Sequence, residues 1–242
     1  LMENLSNACI EAMYFERASR RFFRDEAIVY GFTRFIYLKE LLHKEKIAFP
    51  SVGYFEDPYF LILAMIKAEE YYVIDKAVYV YRVGTHDREV SYAEVVKVLN
   101  VMRDMFWEAR NHGICKLQLV LGNQIIRSNI QYIIPYYDLN NREIVDLWDE
   151  VGRSIIPEIR EQMTDQGRLF TSQGVQRYIQ QCEKEYFKLR DVVTNSQNII
   201  IYGAGRVGRA IVKSMEKDWG KKPFAITVTK LGENQECIND VE

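Results

Sequence analysis

Two short segments of this 242-residue chain carry residue types and spacings that can do chemistry. The first is Tyr54-Phe55-Glu56-Asp57-Pro58-Tyr59-Phe60, with two adjacent carboxylates among aromatic residues at a loop-to-helix junction. Aromatic surroundings withdraw a carboxylate from water and raise its pKa, which prepares it as a general base. The bland reading of the same residues is that Asp57 caps the helix, Pro58 takes its first position and Glu56 is solvated. The second segment is Gly203-Ala204-Gly205-Arg206-Val207-Gly208, a GxGxxG turn. It stands between residues 198–202, which read as a buried strand, and an amphipathic helix over residues 209–215. In that order Gly203 permits the tight turn, Gly205 lets a pyrophosphate approach the backbone, and Gly208 allows close helix–strand packing. The helix N-terminus favours an anion. A second strand, residues 224–229, runs into Lys230, where an acid would grip ribose hydroxyls in a dinucleotide site. Lys230 suits a 2′-phosphate instead, and a turn used for packing alone needs the same glycines.

The elements around these segments divide the chain into three. Residues 1–30 have helical or mixed patterning, and 31–42 read as a strand running into a short helix. Residues 47–50 are extended, because the residue before proline avoids helix. A loop over 51–57 precedes a buried helix over 59–70, and residues 71–83 read as two short strands around Asp75-Lys76. Beyond Gly84 the periodicity is helical over 91–111, 116–136, 142–151 and 174–193. A polar loop over 167–174 and a polar linker over 194–197 complete the pattern. The fold class expected is α/β and helix-rich, with domains over 1–90, 91–194 and 195–242. Hydrophobic residues make up 48% and charged residues 27%, an ordinary globular balance. A net charge of −2 gives no global field toward nucleic acid or anionic lipid. Cys9, Cys115, Cys182 and Cys237 lie far apart, so reduced thiols are expected and no zinc or other metal site.

One ordered set of segments has a family likeness. Gly31-Phe32-Thr33-Arg34-Phe35-Ile36-Tyr37, Leu41-Leu42, Ile47-Ala48-Phe49-Pro50, Phe55-Glu56-Asp57, Tyr71-Tyr72-Val73-Ile74 and Tyr79-Val80-Tyr81-Arg82 follow one another closely. This succession resembles the C-terminal half of the GT-A catalytic domain of family-2 glycosyltransferases, over about residues 25–90. The resemblance implies transfer of a sugar from a nucleotide-sugar donor to a glycan or glycoconjugate acceptor. It makes Asp57 the general base on the acceptor hydroxyl and Glu56 its neighbour in the acceptor site. It sets Arg82 and His86 near the donor phosphates; the bland readings are a strand-surface arginine and a solvated loop histidine. The family holds the diphosphate through Mg²⁺ or Mn²⁺ at an Asp-x-Asp motif on its nucleotide-binding half. No Asp-x-Asp occurs in this chain.

Residues 1–90 therefore read as the acceptor-side half of such a domain, expected to be inactive alone. Residues 195–242 resemble the Rossmann-like unit appended to some bacterial glycosyltransferases and sugar-modifying enzymes, with a nucleotide or NAD(P) as the ligand of the glycine turn. These 48 residues are fewer than the roughly 100 of a typical domain. The chain also begins with Leu1. The expectation is a piece of a larger bacterial enzyme of polysaccharide biosynthesis, cytoplasmic and peripheral to the inner face of the membrane. No nucleic-acid partner is expected. Two other readings stand beside it: a non-catalytic scaffold whose helices over 91–193 mediate assembly, and an NAD(P)-dependent sugar-modifying enzyme built on the glycine turn.

Overall fold

The computed structural model describes residues 18–53, 55–74, 90–138, 140–203 and 206–228. They are helix-rich, with two small two-stranded sheets. The chain divides into two compact units, Leu1–Gln176 and Arg177–Glu242.

In the first unit, β1 (Ser19–Phe22) pairs antiparallel with β2 (Glu70–Val73), Ser19 opposite Val73 and Phe22 opposite Glu70. Alternation gives this ribbon an outer face of Arg20, Phe22 and Tyr72, with Arg20 ion-paired to Glu70 and its guanidinium 5.5 Å from the Phe22 ring centroid. Only this first part of residues 71–83 is described; residues 75–89 lie outside the described residues. A short helix α1 (Phe23–Glu26) follows β1 and buries Phe23. Residues 31–42 do not form the expected strand. Gly31 adopts φ 84° and starts a 3-10 turn over Phe32–Arg34. Residues 35–38 are then extended but, among the described residues, pair with no strand, and α2 (Lys39–Lys44) follows. The turn consumes the residues that would have begun a ladder. The extended stretch still alternates, with Phe35 and Tyr37 half-buried and Ile36 and Leu38 exposed. Next comes α3 (Glu56–Ala68), which buries Phe60, Leu61, Ile62, Ala64, Met65 and Ile66. A helix apolar around so much of its circumference belongs inside a unit.

The helical stretch holds the largest part of the core. Along α4 (Tyr92–Asn111) the buried residues Val95, Val98, Leu99, Met102, Met105, Phe106 and Ala109 recur at three- and four-residue spacing. Its start is fixed by a capping box: the Ser91 side chain accepts from the Glu94 backbone, and the Glu94 carboxylate accepts from the Ser91 N–H at 2.9 Å. The chain continues through α5 (Cys115–Gln124), a π-helical turn over Ile125–Asn129, α6 (Ile130–Ile133), α7 (Arg142–Ser154) and α8 (Pro157–Gln162). Helix α4 packs along α7, with Arg103 Nη1 bonded to Glu150 Oε2 at 2.9 Å across the pair. The stretch 167–174, expected to be a polar loop, is instead a 3-10 segment over Thr164–Phe170 followed by α9 (Ser172–Asn195). Phe170 is fully buried there, stacked on Trp148 at 5.5 Å, and Trp148 Nε1 donates to the Leu169 carbonyl at 2.6 Å. The polar composition of the stretch had masked this aromatic anchor.

Gln118 joins three elements from inside the core. It is fully buried, and its Nε2 donates to the Phe106 carbonyl at 2.9 Å and the Ser154 carbonyl at 3.1 Å. Its Oε1 accepts from the Ile156 N–H at 2.9 Å. Gln118→Met keeps the volume but strips these three partners, so a loss of about 2–3 kcal/mol is expected. The urea midpoint should fall at an unchanged slope. A change under about 0.5 kcal/mol would mean the network is energetically idle.

In the second unit, β3 (Ile200–Tyr202), α10 (Arg206–Trp219) and β4 (Ala225–Thr227) form a parallel strand–helix–strand unit, Ile201 opposite Ile226. Val193, Ile201, Val212 and Met215 make its core, with Ile199, Ile211, Trp219 and Ile226 packed around it. The strand expected to be buried is buried on one face only. Ile201 is covered, while Ile200 and Tyr202 are exposed, because this side of a two-stranded sheet carries no second layer among the described residues.

Candidate active site at the start of helix α3

The Glu56-Asp57 pair is not a cap followed by a helix. Helix α3 begins at Glu56, so Asp57 and Pro58 are its second and third residues and the capping position is Phe55. No side chain caps the end. Pro58 is tolerated there because N–H groups of a first turn have no intrahelical acceptor. Phe55 takes the left-handed conformation, φ 67° and ψ 9°, although its side chain is buried. A bulky residue there costs about 1–2 kcal/mol. Strain of this kind collects where side chains must be aimed, and Phe55 is the residue that turns the chain so that both carboxylates enter the helix. Sequence reasoning had no means of finding it, since nothing local favours φ > 0 at phenylalanine.

Asp57 is half-buried. Burial, and secondarily the Glu56 carboxylate beside it, hold its pKa above the ordinary aspartate range. The positive end of α3 acts the other way, but not enough to reverse the shift. Tyr37, from the extended stretch before α2, lies close enough to feel the Asp57 charge. Burial first, and that charge second, push its phenol upward. Tyr37 Oη donates to the Phe32 carbonyl at 3.0 Å, so its proton is committed to the backbone and its lone pairs remain.

Aromatic rings continue from this point. The Tyr37 ring meets Phe60 edge-on at 5.1 Å, and Phe60 stacks on Phe49 at 4.1 Å and 12°. Phe32 meets Phe49 at 5.4 Å, and Phe35 meets Tyr71 at 5.6 Å. Burial, with Glu26 nearby, raises the Tyr71 phenol to about 12. The structure thus brings Tyr37, Phe49 and Phe32 together around Phe60, which lies one turn along α3 from Asp57, and sets Tyr37 within the field of that carboxylate. Arg82 and His86 lie outside the described residues. No group of three or more His, Cys, Asp or Glu is placed to hold a metal among the described residues.

At the glycine turn, Gly203 has φ 105° and its N–H donates to the Thr227 carbonyl at 2.7 Å. A Cβ on Gly208 would lie 1.9 Å from the Gly203 carbonyl oxygen, so the third glycine is required by close packing of α10 on the turn. Gly208→Ala should therefore unfold the second unit at lower temperature, by roughly 2 kcal/mol or more. A melting transition of that unit unchanged by the substitution would show that the turn has room. Gly205 and Lys230 lie outside the described residues. No helix among the described residues is long and apolar enough to cross a membrane.

Comparison with protein-family models, with curated proteins and with solved structures finds no match to this chain.

Proposed function

We propose that this chain contributes the acceptor side of a sugar-transfer reaction, with Asp57 as general base. The observation that supports this reading is the Asp57 carboxylate, half-withdrawn from water with its basicity raised, at the open end of a helix and beside aromatic rings. An acceptor hydroxyl is a poor nucleophile. As its oxygen bonds to the anomeric carbon and the bond to the nucleotide diphosphate breaks, its proton passes to Asp57. Glu56, its neighbour in the acceptor site, keeps the local field negative and supports that basicity. The likeness to the GT-A half of family-2 glycosyltransferases is part of the proposal, as are the nucleotide-sugar donor and the glycan acceptor. So are Arg82 and His86 near the donor phosphates, and a cytoplasmic place beside the membrane. The test is sugar transfer by the full-length enzyme, donor-binding half included, with and without Asp57→Asn, under conditions where the unsubstituted enzyme transfers. Equal rates remove the carboxylate from the chemistry, and this reading with it.

The parallel unit of β3, α10 and β4 supports a second, separate proposal: that the glycine turn receives a nucleotide or NAD(P). Gly203 and Gly208 take the conformation and the close contact such a turn needs. Calorimetric titration with NADPH and with uridine diphosphate decides it; no heat from either leaves the glycines a packing role.

A further inference from the structure

We propose that Phe49 is a stacking platform for one pyranose ring of the acceptor, supported from beneath by Phe60, which lies one turn along α3 from Asp57. The choice of a saccharide rests on the transferase reading. Phe49 remains 47% exposed although it stacks on Phe60, which is only 5% exposed. An aromatic ring left half in water, on a rigid second ring, loses little freedom when it takes up a ligand. The arm that carries it is held to α2 by the Ile47 N–H on the Leu42 carbonyl at 2.9 Å, and it turns tightly after Phe49, where the Val52 N–H donates to the Pro50 carbonyl at 2.8 Å.

The base is linked to this platform through Phe60 and Tyr37. Asp57 and Phe60 are three residues apart on α3 and so share a face. Tyr37 touches Phe60 and lies within the field of Asp57. A pyranose suits both halves of the surface. β-Glucopyranose shows three axial C–H groups on one face, which complement the negative face of an aromatic ring. Its hydroxyls stand at the rim, where they can donate to a carboxylate. A purely apolar occupant would displace water from the half-buried Asp57 carboxylate and offer it no hydrogen-bond donor in return. A ring with hydroxyl donors replaces the water it displaces.

Saturation-transfer NMR on this chain with methyl β-D-glucopyranoside tests the platform, with glycerol as a polyol that has no ring. Transfer is expected to the glycoside H1, H3 and H5 and not to glycerol. Phe49→Leu keeps the apolar bulk without the ring face and should weaken binding roughly fivefold to tenfold. Phe49→Trp should restore it. Equal binding by Phe49→Leu overturns the proposal, and so does a wild-type chain that binds no glycoside. Circular dichroism shows that each variant is folded. The transferase reading fails differently: transfer indifferent to Asp57→Asn, with Phe49-dependent glycoside binding intact.

Discussion

In the full-length enzyme, donor-binding half included, Asp57→Asn lowers sugar transfer by about 10²–10⁴-fold, the usual worth of a positioned general base, without lowering the melting temperature. The rate effect follows from the chemistry. Asparagine fills the same space and still accepts a hydrogen bond from the acceptor hydroxyl, but it cannot take the proton. Binding of acceptor and donor should change little, so the loss falls on turnover. The stability effect follows from the sign of the shift. Burial and Glu56 raise the Asp57 pKa in the folded state, so the folded chain holds that proton at pH values where the unfolded chain has released it. Stability then falls as pH rises from the unfolded pKa through the folded one, and at neutral pH the Asp57 charge opposes folding. Asparagine removes that opposition, so its melting temperature at pH 7 is equal to or above that of wild type. The same shift places the acid limb of the pH–rate profile above the pH of an ordinary aspartate, with activity lost as pH falls through it. A variant with near-normal turnover, or a rate independent of pH across the acid range, would return Asp57 to the first turn of α3 as a structural residue only.

Gly152→Ala should cost about 3 kcal/mol or more, among the largest single-residue losses in the first unit. Gly152 lies on α7 where the 3-10 segment crosses it. A Cβ there would stand 1.9 Å from the Phe170 carbonyl oxygen and 3.0 Å from its carbonyl carbon. These are backbone atoms, held by the buried Phe170 ring against Trp148 and by the Trp148 bond to Leu169, so they cannot swing aside. Helix propensity pulls the other way, since alanine is favoured over glycine in a helix interior by about 1 kcal/mol. The steric term exceeds it. Gly122→Ala is the control. Its Cβ would meet Met163 Cε and Sδ at 2.4 Å, the flexible end of a side chain. That variant should stay within about 1 kcal/mol of wild type. Urea unfolding of both variants reads the difference. Equal losses would mean that the 3-10 segment shifts as easily as the methionine.

Local periodicity made much of the fold legible. The helical periodicity over 91–111, carried by Val95, Val98, Leu99, Met102 and Met105, is met by helix α4. The order of strand, glycines, helix and strand over 198–229 is met by β3, α10 and β4, and the tight approach expected of Gly208 is met by its contact with Gly203. The failures were of another kind. Residues 31–38 have strand-like composition, but Gly31 spends part of them on a turn. Residues 167–174 look polar, yet Phe170 among them is a core residue. Residues 199–202 read Ile-Ile-Ile-Tyr, and only a three-dimensional count of layers tells which of them is covered.

The candidate site divides in the same way. Adjacent carboxylates among aromatics, and the helix that follows, are properties of neighbouring residues, and the sequence by itself determined them. Tertiary structure decided that Phe55 takes a left-handed turn, that Glu56 opens the helix, and that Tyr37 and Phe49 come to Phe60 from other segments. It also decided which way the Asp57 pKa moves, because desolvation depends on what the rest of the chain sets around a carboxylate. Helix and strand periods repeat every few residues and can be read locally. Contacts among residues 37, 49, 57 and 60 close loops whose geometry no local period encodes.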